Sequence, residues 1–210
     1  MQRGTDMQLL RDLARQYGMV AYVRPGSDPG RSVGVFARLD AAPNGLPELL
    51  LVGPERNTNR FTAQFDALRV LSATASELRV TDKEVLRAEV ERSDADPLGD
   101  EEVHDLADPK PMLLAHGREE QADLDAAAQA AVNQSSWAYS AEGEVSAEIY
   151  AGVLQPYQRI AVAGAGSQLS GDYLISEVRH VLTDQGYQQG FTLRRNARAA
   201  GGGGAGGGVF

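Results

Sequence analysis

The sequence predicts a β-dominated α+β protein, and three observations support this. Three runs rich in β-branched and aromatic residues lie between residues 144 and 196, namely Arg159 to Ala163, Tyr173 to Leu182 and Tyr187 to Arg194. Turn residues separate these runs, and apolar residues recur at every second place in the last two. Helical signals are clear in only two segments. The expected core is therefore an antiparallel hairpin with one buried face, preceded by a partner strand.

The first helix is predicted close to the N-terminal end of the sequence. Thr5 and Gln8 have the spacing of a capping box, which marks a helix start. Apolar residues follow at helical spacing, and Gly18 stands where a residue in the left-handed conformation would end the helix. Met19 to Arg24 then favours a strand that a Pro-Gly turn closes.

The middle of the chain alternates short strand signals with turns. The strand candidates are Ser32 to Leu39, Glu48 to Val52, Phe61 to Leu71 and Glu77 to Val90. The highly charged end of the last candidate suits either an exposed strand or a helix face. Ser93 to Pro111 is rich in Asp, Glu and Pro, which predicts a solvated loop.

The second helix is predicted from Glu119 to Tyr139. Alanines on one side would allow close packing on a sheet or on a neighbouring subunit, and acidic residues in the first turns complement the helix dipole. Trp137 and Tyr139 at its end either anchor an interface or pack within the subunit core. The tail from Ala199 to Phe210 is rich in glycine and predicts a disordered tether, because such a run cannot offset its chain entropy by burial.

The predicted hairpin carries two further expectations. Leu174, Val178 and Leu182 share one parity, and the apolar positions of the following run slip by one place. The slip predicts a bulge or a twist near Gly190 rather than a flat ribbon. His180 has the parity of Leu174, which predicts a hydrogen-bonded histidine in or near the core rather than a catalytic one.

Composition and charge bound the possible functions. With 210 residues, of which 42% are hydrophobic and 23% charged, the chain can form one medium domain or two small ones. Neither a membrane-spanning helix nor a signal peptide is expected. The absence of cysteine excludes disulfides and thiolate metal sites, and it fits synthesis in the cytoplasm. The net charge of −9 argues against specific nucleic-acid binding, which needs clustered Lys and Arg.

No pattern of reactive residues predicts a catalytic, cofactor or metal site. His104, His116 and His180 lack the spacing of a zinc site, and no G-x-S-x-G motif is present. Gly164 to Gly166 is similar to part of a dinucleotide loop, but it leads into a predicted strand instead of a helix. Glycan cleavage needs two facing carboxyl groups, and the polar surroundings of the available glutamates make that signal weak. These glutamates are Glu101, Glu102, Glu119, Glu120, Glu142 and Glu144.

An ordered series of short motifs gives the chain a family resemblance. The motifs are Tyr150 to Leu154, Val162 to Gly166, Ser170 to Tyr173, Val178 to His180, Gly186 to Tyr187 and Phe191 to Asn196. Together they resemble the C-terminal end of the phage late control protein D family, which includes the hub part of VgrG-like spike proteins. The segment LLRDLARQYGMVAYVRPG, residues 9–26, resembles the same family.

The resemblance implies a tube-type antiparallel β-barrel with two peripheral helices and no catalytic site, and it favours a strand at residues 80–90. It implies that residues 1–52 form a helix-strand segment from the inner part of the hub. Residues 53–198 would form the barrel with the helix at 119–139, and residues 199–210 a disordered tail. In the family a similar first segment follows an N-terminal barrel that this chain does not contain, so the match covers only the C-terminal part of the usual hub.

By resemblance, the function would be that of a structural baseplate hub protein that adapts the inner tube to the central spike. The expected setting is a contractile phage tail, as a virion component, or an extracellular injection particle. Expected partners are other copies of the chain, as a homotrimer, with the inner tube protein, the spike protein and other baseplate components. Trp137, Tyr139, Tyr150 and Tyr157 are candidate interface residues. Two alternatives are a particle-associated peptidoglycan hydrolase accessory and a small-molecule-binding β-barrel.

Overall fold

The structure is a computed structural model, and it describes residues 4–39, 45–114 and 120–199. Both predicted helices are present, and each predicted strand segment contains an observed strand. No helix within these ranges is long and apolar enough to cross a membrane. In chain order the elements are α1 (Asp6–Gln16), β1 (Met19–Pro25), β2 (Ser32–Arg38), β3 (Leu49–Leu50), β4 (Arg60–Phe65), a 3₁₀ turn (Ala67–Arg69), β5 (Leu71–Leu78), β6 (Val85–Val90), β7 (Glu101–Glu102), α2 (Val103–Leu106), β8 (Lys110–Leu114), α3 (Gln121–Ser136), β9 (Tyr139–Ser146), β10 (Arg159–Ala163), β11 (Gly171–Thr183), β12 (Gly186–Arg195) and β13 (Ala197–Arg198).

The chain forms two compact units that interleave along the sequence. The first draws its described residues from Met1–Asp40, Leu71–Ala95 and Pro109–Ser135, and the second from Ala41–Val70, Asp96–Asp108 and Ser136–Phe210. The chain segments 1–52 and 53–198 stay a prediction from the sequence. The predicted glycine-rich tail beyond Ala199 lies outside the described residues.

In the first unit, α1 leads directly into the hairpin of β1 and β2. The predicted capping box is confirmed: the N–H of Gln8 donates to Thr5 Oγ1 at 3.3 Å, and the N–H of Thr5 donates to Gln8 Oε1 at 2.8 Å. Gly18 follows with a φ of 64°, a left-handed conformation that glycine adopts without strain. β1 and β2 then pair antiparallel from Met19↔Arg38 to Pro25↔Ser32.

A three-stranded sheet and α3 form the core of the first unit. The strand order is β6-β5-β8, with β5 and β8 parallel. Leu124, Ala128 and Val132 of α3 are buried in one cluster with Ala73 and Ala75 of β5. The small side chains on both elements allow the helix to lie close to the sheet, as the alanine-rich helix predicts.

Three predicted elements have different bounds in the structure. Phe61 to Leu71 is not one strand, because β4 ends at Phe65 and the 3₁₀ turn follows it. Residues 77–90 are not one strand, because a turn in which Arg79 binds Asp82 separates β5 from β6. The second helix ends at Ser136, and Tyr139 begins β9 instead of ending the helix. The Ser135 hydroxyl donates to the Val132 carbonyl at 2.7 Å, and a serine that bonds nearby backbone in this way competes with continued helix.

The second unit is built on a six-stranded sheet in the order β3-β10-β11-β12-β9-β4. The sheet curls as a half-barrel and does not close, because its edge strands β3 and β4 do not pair with each other. The predicted closed tube-type barrel is therefore wrong for the described residues, whereas the β-rich α+β class is confirmed. Closure fails at β3, whose outward backbone groups already have a partner: Leu50 N–H donates to Asn57 Oδ1 at 2.8 Å, and the Leu50 carbonyl accepts from Asn57 N–H at 3.1 Å.

Buried aliphatic residues from the inner strands and from the edge strand β3 make the core of this sheet. Leu49, Val145, Ile160, Ile175 and Leu193 belong to this one cluster. The edge strand β4 packs against the same cluster through side chains that are only half-buried. β4, β9 and β12 alternate more buried and more exposed positions along most of their length, and the more exposed positions on these strands are mostly polar.

The predicted loop at 93–111 contains regular structure. β7, the short helix α2 and the start of β8 all lie within it, so the described chain has three α-helices rather than two. Asn196 holds the beginning of this region: its Oδ1 accepts from Leu98 N–H at 2.9 Å, and its Nδ2 donates to the Asp96 carbonyl at 3.0 Å. Because these bonds go to backbone groups, the composition of the region gave no sign of them.

The hairpin of β11 and β12 departs from prediction in two ways. Its register shifts between Ile175 and Glu177, whereas Gly190 pairs regularly with Arg179. Of the two predicted alternatives, the bulge near Gly190 is therefore wrong and the twist stays a prediction. The buried face also ends early, since Leu182 is 82% exposed. β10 pairs with β11 only as far as Leu174, and the far half of β11 therefore has β12 as its one strand neighbour in the described sheet.

A buried glutamine on β12 fixes the loop that precedes β10. Gln189 is fully buried, its Oε1 accepts from Leu154 N–H at 2.8 Å, and its Nε2 donates to the Gly152 carbonyl at 2.8 Å. Tyr150 at the start of the same loop is also buried, and its hydroxyl donates to the Pro47 carbonyl at 2.8 Å. The motif Tyr150 to Leu154 therefore has a packing role.

We expect Gln189→Leu to lower the free energy of unfolding by about 2 kcal/mol, because it leaves the buried N–H of Leu154 and the part-buried carbonyl of Gly152 without these partners. The exposed neighbour offers a matched control, Gln188→Leu, which should stay within about 0.5 kcal/mol of the parent. Urea unfolding monitored by fluorescence measures both. Equal effects of the two substitutions would contradict the bridging role of Gln189.

Candidate functional site

A buried arginine at the end of β12 organises the most distinctive site of the second unit. Arg195 is 0% exposed, and its Cζ lies 4.6 Å from the ring centroids of both Tyr139 and Tyr173. The Tyr139 ring in turn stacks on Phe65 of β4, with centroids 4.5 Å apart. These four side chains form one continuous stack, here named the arginine–aromatic stack. Cation–π attraction between a desolvated guanidinium and each ring stabilises it.

The arginine–aromatic stack holds the loop between β10 and β11 by its backbone. Arg195 Nη1 donates to the Ser170 carbonyl at 2.8 Å, and Nη2 donates to the Gln168 carbonyl. The Tyr173 hydroxyl donates to the Leu169 carbonyl at 2.7 Å. Three consecutive carbonyls are thus bound by two buried side chains, so the loop is held in one conformation.

Burial governs the electrostatics of this stack. It lowers the pKa of Arg195 and raises the pKa of Tyr173, because each charged form loses water. A guanidinium nevertheless stays protonated over the physiological range, and a tyrosine with a raised pKa stays neutral. Arg195 therefore acts as a fixed cation with carbonyl partners, and neither Arg195 nor Tyr173 exchanges protons near neutral pH.

A cleft of about 540 Å³ lies beside the stack and is open to solvent. Its lining is mainly apolar and amide in character, and no acidic residue or histidine is among the described residues that line it. At its rim Arg198 donates from Nε to Glu101 Oε2 at 3.0 Å. The lining residues are Ala63, Gln64, Phe65, Leu106, Tyr139, Ala165, Gly166, Ser167, Gln168, Leu169 and Arg198.

The four predicted interface residues fall into two classes. Tyr139 and Tyr150 are buried in the core of the second unit. Tyr139 belongs to the stack. Tyr150 and Gln189 hold the loop that precedes β10, and this pair is here named the loop lock. Trp137 and Tyr157 are half-buried, and Tyr157 has a left-handed φ of 66°. The structure brings Tyr139 to the cleft but not the other three. The interface role of all four stays a prediction.

The other residues considered for chemistry are scattered. His104 lies buried in α2 and His116 lies outside the described residues, while His180 is exposed and shares a hydrogen bond of 2.7 Å with the Tyr187 hydroxyl. The prediction of a core position for His180 is therefore wrong, because the far half of β11 leaves the core. Within residues 4–39, 45–114 and 120–199 no group of three or more His, Cys, Asp and Glu could hold a metal ion.

The candidate glutamates do not converge on the cleft. Glu142 and Glu144 lie on β9 with side chains outside the core, Glu101 pairs with Arg198, and Glu119 lies outside the described residues. Gly164 and Gly166 both have positive φ, and the turn they form leads into β11, so no helix N-terminus follows them.

Sequence reasoning missed Arg195 and the loop at 165–169. One signal was present: Arg195 has the inward parity of Phe191 and Leu193, and an arginine at a core position requires partners. Those partners are aromatic rings and backbone carbonyls that no local pattern places nearby.

Tyr150 gives a pH-dependent prediction. Burial raises its pKa from 10.0 to about 12, so its hydroxyl contributes stability that is present below pH 10 and is lost as the pH rises through about 12. At neutral pH, Tyr150→Phe should cost about 1 kcal/mol because the Pro47 carbonyl loses its donor. The stability gap between parent and variant should then shrink above pH 10, since phenylalanine cannot ionise. Urea unfolding across this range measures the gap, and a constant gap would contradict the role assigned to Tyr150.

No family model and no curated protein matches the sequence. Two solved structures share the fold over 93% of the chain. The 43 kDa tail protein of prophage MuSo2 from Shewanella oneidensis is similar with a TM-score of 0.63 at 16% identity, and the chain covers 54% of it. A tail protein from Neisseria meningitidis MC58 is similar with a TM-score of 0.59 at 15% identity, and the chain covers 56% of it. The chain therefore spans about half the length of these two proteins.

Proposed function

We propose that this chain is a structural component of a phage tail or of a related injection particle. The observation that carries the proposal is the shared fold over 93% of the chain with two proteins described as tail proteins. The chemistry of the second unit supports it. Its buried polar residues all bind backbone carbonyls or amides, namely Gln189, Arg195 and Asn196. These bonds keep the backbone in one conformation, and a structural component of a particle needs a fixed shape.

In finer detail, we propose a baseplate hub that adapts an inner tube to a central spike, with copies of the chain assembled as a trimeric ring. The expected partners are the tube protein, the spike protein and other baseplate components, within a virion or an extracellular particle. The family resemblance of the motifs between Tyr150 and Asn196 favours this role. A ring of this kind needs stable interfaces, on the order of 2,000 Å² or more per contact.

The segment from Ile149 to Tyr157 is the interface that we propose for ring assembly. Val153 is 56% exposed and Ile149 is exposed beside it, while the loop lock around Tyr150 and Gln189 keeps this segment in a fixed conformation. A rigid segment with outward aliphatic side chains suits a permanent contact, because it loses little entropy on binding. Trp137 and Tyr157 are the candidate aromatic anchors.

The test combines oligomeric state with assembly. Light scattering coupled to size exclusion should give a complex whose mass corresponds to three copies of the chain together with the tube and spike proteins. Electron microscopy of this complex should show rings. Val153→Glu should yield monomers that unfold at the parent temperature, whereas Leu182→Glu, at the exposed end of β11, should leave the ring intact. A persistent monomer in the presence of both partners would overturn the hub role and favour a small-molecule-binding protein.

The hydrolase alternative is tested separately. Purified protein should release no peptidoglycan fragments, and Glu144→Gln should assemble as the parent does, because Glu144 lies on β9 away from the cleft. Peptidoglycan release that Glu144→Gln abolishes would establish the enzymatic alternative.

A further inference from the structure

The two edges of the six-stranded sheet differ in how they end. At β3, the side chain and backbone of Asn57 bind both outward groups of Leu50, and Asn57 Nδ2 donates to the Glu48 carbonyl at 2.8 Å. Asn57 thus takes the place that a neighbouring strand would occupy, which is one way proteins protect a sheet edge. Nothing comparable is found at β4 among the described residues.

The register of β4 shows which backbone groups face outward. Phe65 pairs with Tyr139, and the next N–H, of Asp66, donates to the Ala138 carbonyl at 3.0 Å. Hydrogen-bonding residues alternate along an antiparallel strand, so Gln64 and Thr62 face β9. Phe61, Ala63 and Phe65 therefore present their N–H and carbonyl groups to the free edge, and these groups have no hydrogen-bond partner in the described part of the chain.

The sequence of β4 lacks the devices that keep an edge strand unpaired. Arg-Phe-Thr-Ala-Gln-Phe contains one charge, at its first place, and no proline, and its register with β9 shows no bulge. Edge strands that must stay free usually carry lysines, prolines or bulges. An apolar, regular edge of this kind favours pairing with another strand.

The cleft lies along this edge. Ala63, Gln64 and Phe65 are consecutive and all line it, so the cleft follows the backbone of β4 and not one face of the sheet. The loop from Ala165 to Leu169 forms a facing wall. Because the arginine–aromatic stack binds both this loop and Phe65, the opening exists before anything binds.

We propose that β4 and the cleft form an acceptor site for an extended segment of a partner protein. The segment adds as a seventh strand through the backbone of Phe61, Ala63 and Phe65, and alternate apolar side chains enter the cleft. A row of backbone donors and acceptors fits a polypeptide better than a small molecule. A second copy cannot add through its β3 edge, because Asn57 closes that edge; pairing through its β4 edge is an outcome that the test below distinguishes.

This inference is independent of the proposed tail role, since the isolated chain is sufficient to test it. The probe is a capped synthetic peptide that alternates threonine and valine, with lysine at both ends for solubility. A peptide with proline in place of each valine is the control. Binding is followed by amide chemical shifts of the isotope-labelled chain.

We expect the threonine–valine peptide to shift the amides of Phe61, Ala63 and Phe65 and to slow their exchange with solvent, while the proline peptide shifts none of them. Ala63→Pro removes one outward N–H and leaves the β9 ladder intact, so it should fold as the parent does and bind at least about tenfold more weakly. Thr62→Pro removes an N–H that faces β9 and should lower the unfolding temperature, which checks the register.

Ser167→Trp supplies a second variant if Ala63→Pro does not fold. Ser167 is exposed on the facing wall, so tryptophan there fills the cleft without entering the core and should also reduce peptide binding about tenfold. Ser27→Trp, at an exposed turn of the other unit, should bind as the parent does. Three outcomes would overturn the acceptor site. The peptide could shift only amides outside β4 and the cleft, or it could shift no amide at any soluble concentration. The β4 amides could also be protected without peptide, by self-association of the chain.

Discussion

Gly143→Ala is expected to destabilise the protein by about 3 kcal/mol or more, or to prevent folding. Gly143 lies on β9 in the middle of the six-stranded sheet, between Phe191 of β12 and Phe61 of β4. A Cβ built on it would lie 2.4 Å from Phe191 Cζ and 2.5 Å from the Arg60 carbonyl oxygen. The phenyl ring can move only into the packed core, and the carbonyl belongs to the strand ladder.

Gly190 on the neighbouring strand is the matched control. It pairs with Glu144, yet the nearest atom to a Cβ built there, the Arg179 carbonyl oxygen, is 4.0 Å away. Gly190→Ala should therefore be neutral or slightly stabilising, because alanine restricts the unfolded chain. Thermal and urea unfolding compare the two variants. If both change stability by the same amount, the close approach of Phe191 to β9 is not what requires glycine at 143.

Arg195→Met is expected to cost about 2–3 kcal/mol, because it leaves two part-buried carbonyls without their donors and removes the cation between two rings. Methionine fills much of the same volume, so the loss reflects polar contacts more than a cavity. The loop at 165–169 should also exchange its amide hydrogens faster in the variant, since Gln168 and Ser170 are no longer held.

The adjacent residue again supplies the control. Arg194 is half-buried on the other face of β12, and burial together with the nearby charge of Arg69 lowers its pKa. Arg194→Met removes a repulsion and should change stability by no more than about 0.5 kcal/mol. Amide exchange in the 165–169 loop should not change. A loop that stays protected in Arg195→Met would show that other contacts hold it.

The sequence predicted the elements whose signals are local. The capping box at Thr5 and Gln8 and the run at Arg159 to Ala163 appear in the structure as predicted, since they depend on neighbouring residues. β9 was missed as a strand because its residues Ala141 to Ser146 include a glycine and two glutamates, which are unfavourable in strands. The reason for that glycine is Phe191, which is far away in sequence.

The candidate site was also harder to predict, because its contacts join residues that are far apart in the sequence. The cleft joins β4, the loop after β10 and the end of the chain, and Arg195 is held by rings at 139 and 173. The predicted closed barrel failed at Asn57, which takes the place of a strand through two side-chain bonds and one backbone bond to the backbone of Glu48 and Leu50. No periodic pattern in the sequence indicates that an asparagine stands in the place of a neighbouring strand.

β12 pairs with β11 on one side and with β9 on the other, so it joins the two halves of the second unit. Without β12, β9 with β4 and β10 with β11 are separate pieces, and neither has a complete core. The sheet is therefore assembled through contacts between residues that are distant in sequence, which slows folding. Changes that loosen β12 should for that reason affect both halves of the sheet together, whereas changes in β4 or β10 act on one half.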